Sequence, residues 1–241
     1  MSKLILRLRA FLFYFGMLIV TLPFTLLVIL TFPLNSILRS RFASYWSHFA
    51  LFWLKLTCNL GFEVKGRENI PDHPSVILCK HQSAWETIAL QVIFPPQIWV
   101  LKKELLYIPF LGWAWMVLST IPIDRSAGRE ALKKLVNHGK DRLARGLWVV
   151  IFPEGTRVAP GERGKYHIGG AWLAAQTQTT VVPVAHNAGV FWRKNEFIKR
   201  AGTITVSIGK PIETAGLKAD EVNKRVEDWI ESEMLLLPQN H

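Results

Sequence analysis

Residues 10–38 carry no charged side chain, and within them residues 11–34 read FLFYFGMLIVTLPFTLLVILTFPL. No other feature constrains the fold as strongly. About 20 consecutive apolar residues let a helix cross the hydrocarbon core of a bilayer, and this run is long enough. A secretory leader would have a shorter apolar core followed by a small-residue cleavage site, and no such site is seen. A retained membrane helix is therefore expected, kinked at Pro23, which has no backbone N–H to donate. The turn signal Pro33-Leu34-Asn35-Ser36 leads into a second apolar stretch at 42–60 that contains His48 and Lys55. It reads either as a second span or as an amphipathic helix lying in the interface. Either way, residues 1–60 are expected to form a hydrophobic helical hairpin that anchors the chain to a membrane.

The charge distribution agrees. Of a formal net charge of +11, six units lie in residues 1–60, on Lys3, Arg7, Arg9, Arg39, Arg41 and Lys55, and the first acid is Glu63. Basic residues set among long apolar runs fit an anionic membrane surface. Nucleic acid is not an expected partner, because a phosphate-binding stripe would not be packed among uncharged runs of Leu, Phe and Trp. With 241 residues, half of them apolar and 20% charged, the chain affords a large core and is not disordered. Its mean hydropathy of +0.20 is high for a fully soluble protein. The two cysteines, Cys58 and Cys79, have no metal-ligand spacing and exclude a disulfide framework. They fit a reducing compartment.

From about Gly61 the pattern changes. Short β-branched runs predict strands at 75–80, 97–102, 120–123, 147–152, 180–184 and 203–208. Helical periodicity falls at 83–93, 110–118, 129–145, 169–176 and 219–236. This alternation predicts an α/β fold for a second unit, residues 61–241.

Several strand ends carry chemistry. His81 follows the apolar strand ending at Lys80, in a strand-to-helix loop where α/β sheets place their ligands. An imidazole there suits general-base work. Glu86, inside the first turn of the next helix, would hold the far ring nitrogen as the orienting acid of a triad does. Ser83-x-x-Glu86 is equally a capping box, with Glu86 reaching back to a backbone N–H; one carboxylate can do both. Phe152-Pro153-Glu154-Gly155-Thr156-Arg157 follows another buried strand. It is either a tight turn with a solvated Arg157 or a phosphate cradle in which Gly155 permits close backbone approach and Arg157 supplies a planar fork. Lys102-Lys103-Glu104 and Asp124-Arg125 are either solvated strand ends or further cations on the same sheet edge, suited to an anionic substrate. The helix carrying Trp113 and Trp115 reads as core or membrane-facing. His73, His138, His167, His186 and His241 are scattered, no zinc spacing or P-loop occurs, and no GxSxG elbow is present. No metal and no cofactor is expected.

Taken together and in order, His81-x-x-x-x-Glu86, KKEL, IDR, FPEGTR and Val182-Pro183-Val184 resemble the glycerolipid acyltransferase family, specifically the bacterial 1-acyl-sn-glycerol-3-phosphate acyltransferases. The resemblance runs from about His81 to Pro183. It implies a single catalytic domain with a mixed sheet flanked by helices, preceded by the hydrophobic hairpin. It also implies His81 as general base and Glu86 as its partner. Lys102, Arg125, Glu154, Gly155, Thr156 and Arg157 are implied to bind the acceptor, with Arg157 nearest its phosphate. Pro183 is implied to shape the acyl side of the site. The family's box usually ends in Asp, so Glu86 is a departure, with a side chain long enough to reach the imidazole. The implied reaction moves an acyl group from acyl-CoA or acyl carrier protein to the sn-2 hydroxyl of lysophosphatidic acid, without an acyl-enzyme. Backbone N–H groups near Ser83 are the nearest candidates for holding the oxyanion. The expected location is the bacterial inner membrane, with the catalytic domain facing the cytoplasm. Two alternatives remain: a same-fold enzyme acting on another lysophospholipid or lyso-aminolipid, and a non-catalytic protein that binds anionic lipid.

Overall fold

The computed structural model describes residues 2–238, apart from the side chain of Arg125; His241 lies outside the described residues. Two long helices open the chain. Helix α1 (Lys3–Leu30) contains Pro23 and runs on past it. Helix α2 (Ser36–Cys58) is capped by Asn35, whose side chain accepts the Leu38 N–H at 2.9 Å, and stops at Asn59 in a left-handed conformation. It begins before the apolar stretch does, because its first turns carry Arg39 and Arg41, and hydrophobicity alone does not register a helix's polar positions. The two helices approach closely. A Cβ on Gly16 would stand 2.3 Å from Nε1 of Trp53. That indole N–H reaches the carbonyls of Leu12 and Phe13 at 3.2 Å each, and Trp46 donates to the Thr21 hydroxyl at 3.0 Å.

The hairpin is not a detached anchor. Its inward residues Phe13, Met17, Leu54 and Cys58 belong to the same core cluster as Ile77 and Val150 of the sheet, whereas Leu18, Leu22, Leu26 and Leu30 are exposed. Among the described residues, α1 alone is both long and apolar enough to cross a membrane.

Among the described residues the sheet has seven strands: β1 (Leu60–Lys65), β2 (Val76–Cys79), β3 (Gln97–Lys102), β4 (Ile121–Ile123), β5 (Trp148–Ile151), β6 (Val181–His186) and β7 (Gly202–Ile208). Their order is β1-β7-β6-β2-β5-β3-β4. Strands β2 to β6 are parallel; β7 runs antiparallel to β6 and carries β1 parallel to itself. The mixed sheet is as expected. Edge strand β1 was not legible, because its half-exposed residues, with Glu63 and Lys65 among them, form no continuous apolar run. Helix α3 (Trp85–Ile93) and the hairpin cover one face, and α5 (Gly128–Ala144), α6 (Gly169–Thr177) and α8 (Ala219–Leu236) cover the other. Helix α4 (Leu111–Val117) packs Ala114 against Val28 of α1 and Ala43 of α2, and the short α7 (Ala188–Phe191) follows β6. Since β2 to β5 are parallel, the segments after all four emerge at one edge of the sheet.

A buried cation links the hairpin to the domain. Lys199 is 1% exposed. Its Nζ donates to the Phe197 carbonyl at 2.7 Å and to the Tyr14 hydroxyl of α1, and stands 3.8 Å from the Tyr14 ring centre and 4.6 Å from that of Trp192. Such cation–π contacts strengthen when desolvated. Burial pushes its pKa down from 10.5 to about 8. Between those values the unfolded chain binds more protons than the folded one, so stability rises with pH across that window. The gain approaches about 3 kcal/mol when the whole shift is expressed. Lys199→Met keeps the apolar stem and removes the charge. Unfolding midpoints measured in detergent from pH 7.5 to 10 are expected to rise more steeply for the natural chain than for Lys199→Met; equal slopes would refute this assignment.

Candidate active site

Strand β2 is wholly buried, and its alternation sends successive side chains to opposite faces. Lys80 continues the pairing, with its N–H donating to Val184 at 2.9 Å, and points to the α8 face. His81 follows and points to the α3 face. Its backbone is held from both ends: the N–H donates to Oε2 of Glu154 at 2.7 Å, and the carbonyl accepts the Val158 N–H at 2.8 Å.

Glu86 is fully buried in the first turn of α3. Its Oε1 accepts from His81 Nδ1 and from the Gln82 and Ser83 N–H groups, all at 2.8 Å, and its Oε2 accepts the Ser83 N–H at 3.1 Å. Both readings of this carboxylate therefore hold: it caps the helix and it binds the imidazole. The Ser83 hydroxyl accepts from Trp85 at 3.2 Å instead of from Glu86, so the helix begins two residues later than predicted. The arrangement also corrects one expectation. The N–H groups of Gln82 and Ser83 are taken by Glu86, which leaves them unfit to hold a substrate oxyanion.

With Nδ1–H donated to Glu86, Nε2 of His81 keeps its lone pair. The ring lies on Phe152 with centroids 4.0 Å apart and planes inclined by 15°, and Phe152 stacks in turn on Trp99. One rotamer is thus fixed from two directions. Burial opposes ionisation of Glu86, but the neighbouring His186 and the hydrogen bonds from His81 and Ser83 hold it below the ordinary carboxylate range.

His186 is a residue the sequence did not single out. It ends β6 with Nε2 3.9 Å from Oε2 of Glu86. Nδ1 accepts the Ala188 N–H at 3.2 Å, so Nε2 carries the proton and donates to the Lys80 carbonyl at 2.8 Å. Burial pushes its pKa below the ordinary value, which agrees with this neutral tautomer. The strand predicted at 180–184 ends two residues short of it; a histidine at a parallel strand's C-terminal end was the available signal.

Glu154 differs from its implied role. It is 3% exposed, and neither oxygen faces open space: one holds the His81 N–H and the other lies 2.7 Å from Lys80 Nζ. Lys80 Nζ is also 2.8 Å from Oε1 of Glu231 on α8, which accepts the Tyr166 hydroxyl at 2.7 Å. Burial raises the Glu154 pKa, with Lys80 acting against it. Glu154 thus braces the His81 peptide. Gly155 then makes the turn at φ 66°, its N–H donating to Phe152 at 3.0 Å. Thr156 is exposed and Arg157 half-buried, and Arg157 makes no ion pair among the described residues.

The remaining candidates spread along the edge. Lys102 ends β3, exposed and 3.6 Å from Glu104. Lys103, not Lys102, pairs with Asp124, and this hydrogen bond holds the Asp124 carboxyl well below its ordinary range. Arg125 opens a short helical turn after β4, and its side chain lies outside the described residues. At about 4.8 Å per strand, β4 stands about 14 Å from β2. Of the implied acceptor-binding residues, those of the Glu154–Arg157 turn are next to the His81 segment, while Lys102 and Arg125 lie progressively farther along. Pro183 is buried in the middle of β6, paired with Leu78, and alternation with Val182 and Val184 sends it to the opposite face from Glu86 and His186. It does not join His81.

Comparison with known proteins places this chain in a family. The acyltransferase family model matches residues 61–187. The chain is 46% identical over 200 residues to the 1-acyl-sn-glycerol-3-phosphate acyltransferase of Pseudomonas aeruginosa, covering 81% of this chain and 78% of that one. It is 35% identical to the Saccharomyces cerevisiae enzyme of the same name, over 72% of this chain and 59% of the relative. The crystal structure of the 1-acyl-sn-glycerophosphate (LPA) acyltransferase of Thermotoga maritima superposes with a TM-score of 0.79 over 95% of this chain and 94% of that one, at 22% identity, a likeness of fold. A family model spanning more than half the chain and a relative 46% identical over most of it show that this chain belongs to the acyltransferase family.

Proposed function

We propose that this chain acylates the sn-2 hydroxyl of lysophosphatidic acid from an acyl thioester, giving phosphatidic acid at a membrane. The observation that carries the reading is the His81 ring, with Nδ1 held by a buried carboxylate and Nε2 without a hydrogen-bond partner among the described residues, beside a turn that ends in Arg157. The relatives' names supply the acceptor and the reaction class.

Nε2 of His81 takes the proton of the acceptor hydroxyl as its oxygen attacks the thioester carbonyl. Glu86, ionised and bonded to Nδ1, stabilises the imidazolium that forms. The tetrahedral intermediate collapses, the C–S bond breaks, and the leaving thiolate takes the proton back from Nε2. The carboxylate stays ionised throughout. No acyl-enzyme is required. This agrees with the buried position of Cys79, where burial pushes the thiol pKa well up.

Arg157 holds the acceptor phosphate by its planar fork. Lys102 and Arg125, farther along the edge, add positive potential. The donor is acyl-CoA or acyl carrier protein, both cytoplasmic thioesters, so the catalytic face is turned to the cytoplasm. The exposed leucines of α1 hold the enzyme in the membrane that contains its acceptor.

Two predictions follow from these roles. His81→Ala is expected to lower turnover by about 10²–10⁴-fold while leaving the circular dichroism spectrum unchanged. Arg157→Ala is expected to raise the KM for lysophosphatidic acid more than it lowers kcat. The assay is thiol release by detergent-held protein with lysophosphatidic acid, with lysophosphatidylcholine, or with no acceptor, using acyl-CoA and acyl carrier protein as donors. Release that depends on lysophosphatidic acid and is lost in His81→Ala is the expected result. Near-full turnover in His81→Ala would overturn the mechanism, and preference for lysophosphatidylcholine would overturn the acceptor.

Glu154→Gln keeps an oxygen for the His81 N–H, whereas Glu154→Ala leaves that N–H unpaired and Lys80 with Glu231 as its one remaining carboxylate among the described residues. Loss of one partner from a buried pair costs about 3–5 kcal/mol. Glu154→Ala should therefore lose both thermal stability and turnover, and Glu154→Gln should retain more of each. Raised acceptor KM with unchanged stability in Glu154→Ala would instead support direct acceptor binding.

A further inference from the structure

The corner between β3 and β4 displays an apolar surface that no step of the reaction uses. Leu105, Tyr107, Phe110, Trp113 and Met116 are all exposed, Tyr107 to 77% and Trp113 to 50%. Soluble proteins rarely group large apolar side chains outward in this way. The inner side of the same corner is well packed. Ala114 is buried against Val28 and Ala43 of the hairpin. A Cβ on Gly112 would stand 2.0 Å from the Leu106 carbonyl oxygen, so the 103–107 turn and α4 form one stiff piece. Phe110 adopts φ 63°, which disfavours a bulky residue, and its ring still projects outward beside Trp113, with centroids 5.3 Å apart.

Two observations identify what covers this surface. It adjoins the exposed C-terminal end of α1, the helix that α4 packs on, where Leu26, Leu27 and Leu30, and Phe32 in the turn beyond, stand outward. It is also rimmed by Lys102 and Lys103, at the sheet edge that carries the active site. Apolar aromatics beside lysines match the headgroup level of an anionic bilayer.

We propose that the 103–117 corner is a membrane-docking element of the catalytic domain, seated in the interfacial layer of an anionic bilayer alongside the hairpin. This rests on the proposed membrane location of the enzyme. Docking there brings the β3 and β4 ends down to the headgroups, so an acceptor lipid reaches His81 without leaving the bilayer.

The test uses the full-length protein bound to vesicles of phosphatidylethanolamine and phosphatidylglycerol. Cys58 and Cys79 are buried, so single cysteines can be labelled with an environment-sensitive fluorophore at Met116→Cys, at Leu26→Cys on the hairpin, and at Lys140→Cys on exposed α5. Lipids brominated in their acyl chains serve as quencher. Quenching at position 116 within about twofold of that at 26, with none at 140, is expected. Quenching at 26 but not at 116 overturns the docking proposal and leaves the hairpin anchor intact. Absence of quenching at both overturns the membrane location itself. Excimer formation between pyrene labels at 116 without lipid quenching would assign the surface to a second copy of the chain, and so overturn the proposal. A Trp113→Ser, Met116→Ser double variant is expected to raise the KM several-fold for acceptor presented in vesicles. Its turnover of a short-chain, detergent-dispersed acceptor should be unchanged. Equal kinetics in both formats would also overturn the proposal.

Discussion

Glu86, its own side chain shut away from water, accepts hydrogen bonds from the His81 ring and from two backbone N–H groups. The active-site architecture depends on this carboxylate. It fixes the tautomer of His81, turns the chain from β2 into α3, and places a negative charge where an imidazolium develops. Charge-assisted bonds of this kind are about twice as strong as neutral ones. In a buried site the alternative, an unbonded carboxylate, is costly enough that the loop has one stable arrangement. His186 supports it from the neighbouring strand, and Phe152 limits the ring from below.

The other face of β2 carries the complement. Lys80 points away from His81 into a cluster with Glu154 and Glu231, so one ammonium meets two carboxylates. Glu154 uses its second oxygen on the His81 N–H. The peptide that presents the base is thus gripped by Glu154 on one side of the strand, while its ring is gripped by Glu86 on the other. A catalytic group held on a strand end by two buried carboxylates is preorganised, and little reorganisation remains when substrate arrives.

Part of this was legible in the sequence. The strand-loop-helix reading around His81 needed only an apolar run ending at Lys80 and a capping pattern at Ser83 to Glu86. Those are local signals, and the alternation of strands and helices from Gly61 onward is equally local. Contacts that join distant segments were not legible: Lys80 and Glu231 are 151 residues apart, and His186 bonds to Lys80 across 106. The family resemblance assigned Glu154 to acceptor binding, but its burial and partners make it a brace for the base. Pro183 likewise follows from strand alternation, which turns it to the face opposite Glu86. The N–H groups near Ser83 looked available until Glu86 was seen to occupy them, since a single carboxylate's several partners cannot be counted from spacing.

His81 rests with its proton on Nδ1 and its lone pair on Nε2 because Glu86 dictates it. Two-dimensional 15N–1H spectra of the histidine rings report this directly, with the His81 signals assigned by comparison with His81→Gln. A protonated Nδ1 and an unprotonated Nε2 are expected in the free enzyme near neutral pH, with the preference lost in Glu86→Gln. A His81 ring protonated on Nε2 in the natural chain would contradict it.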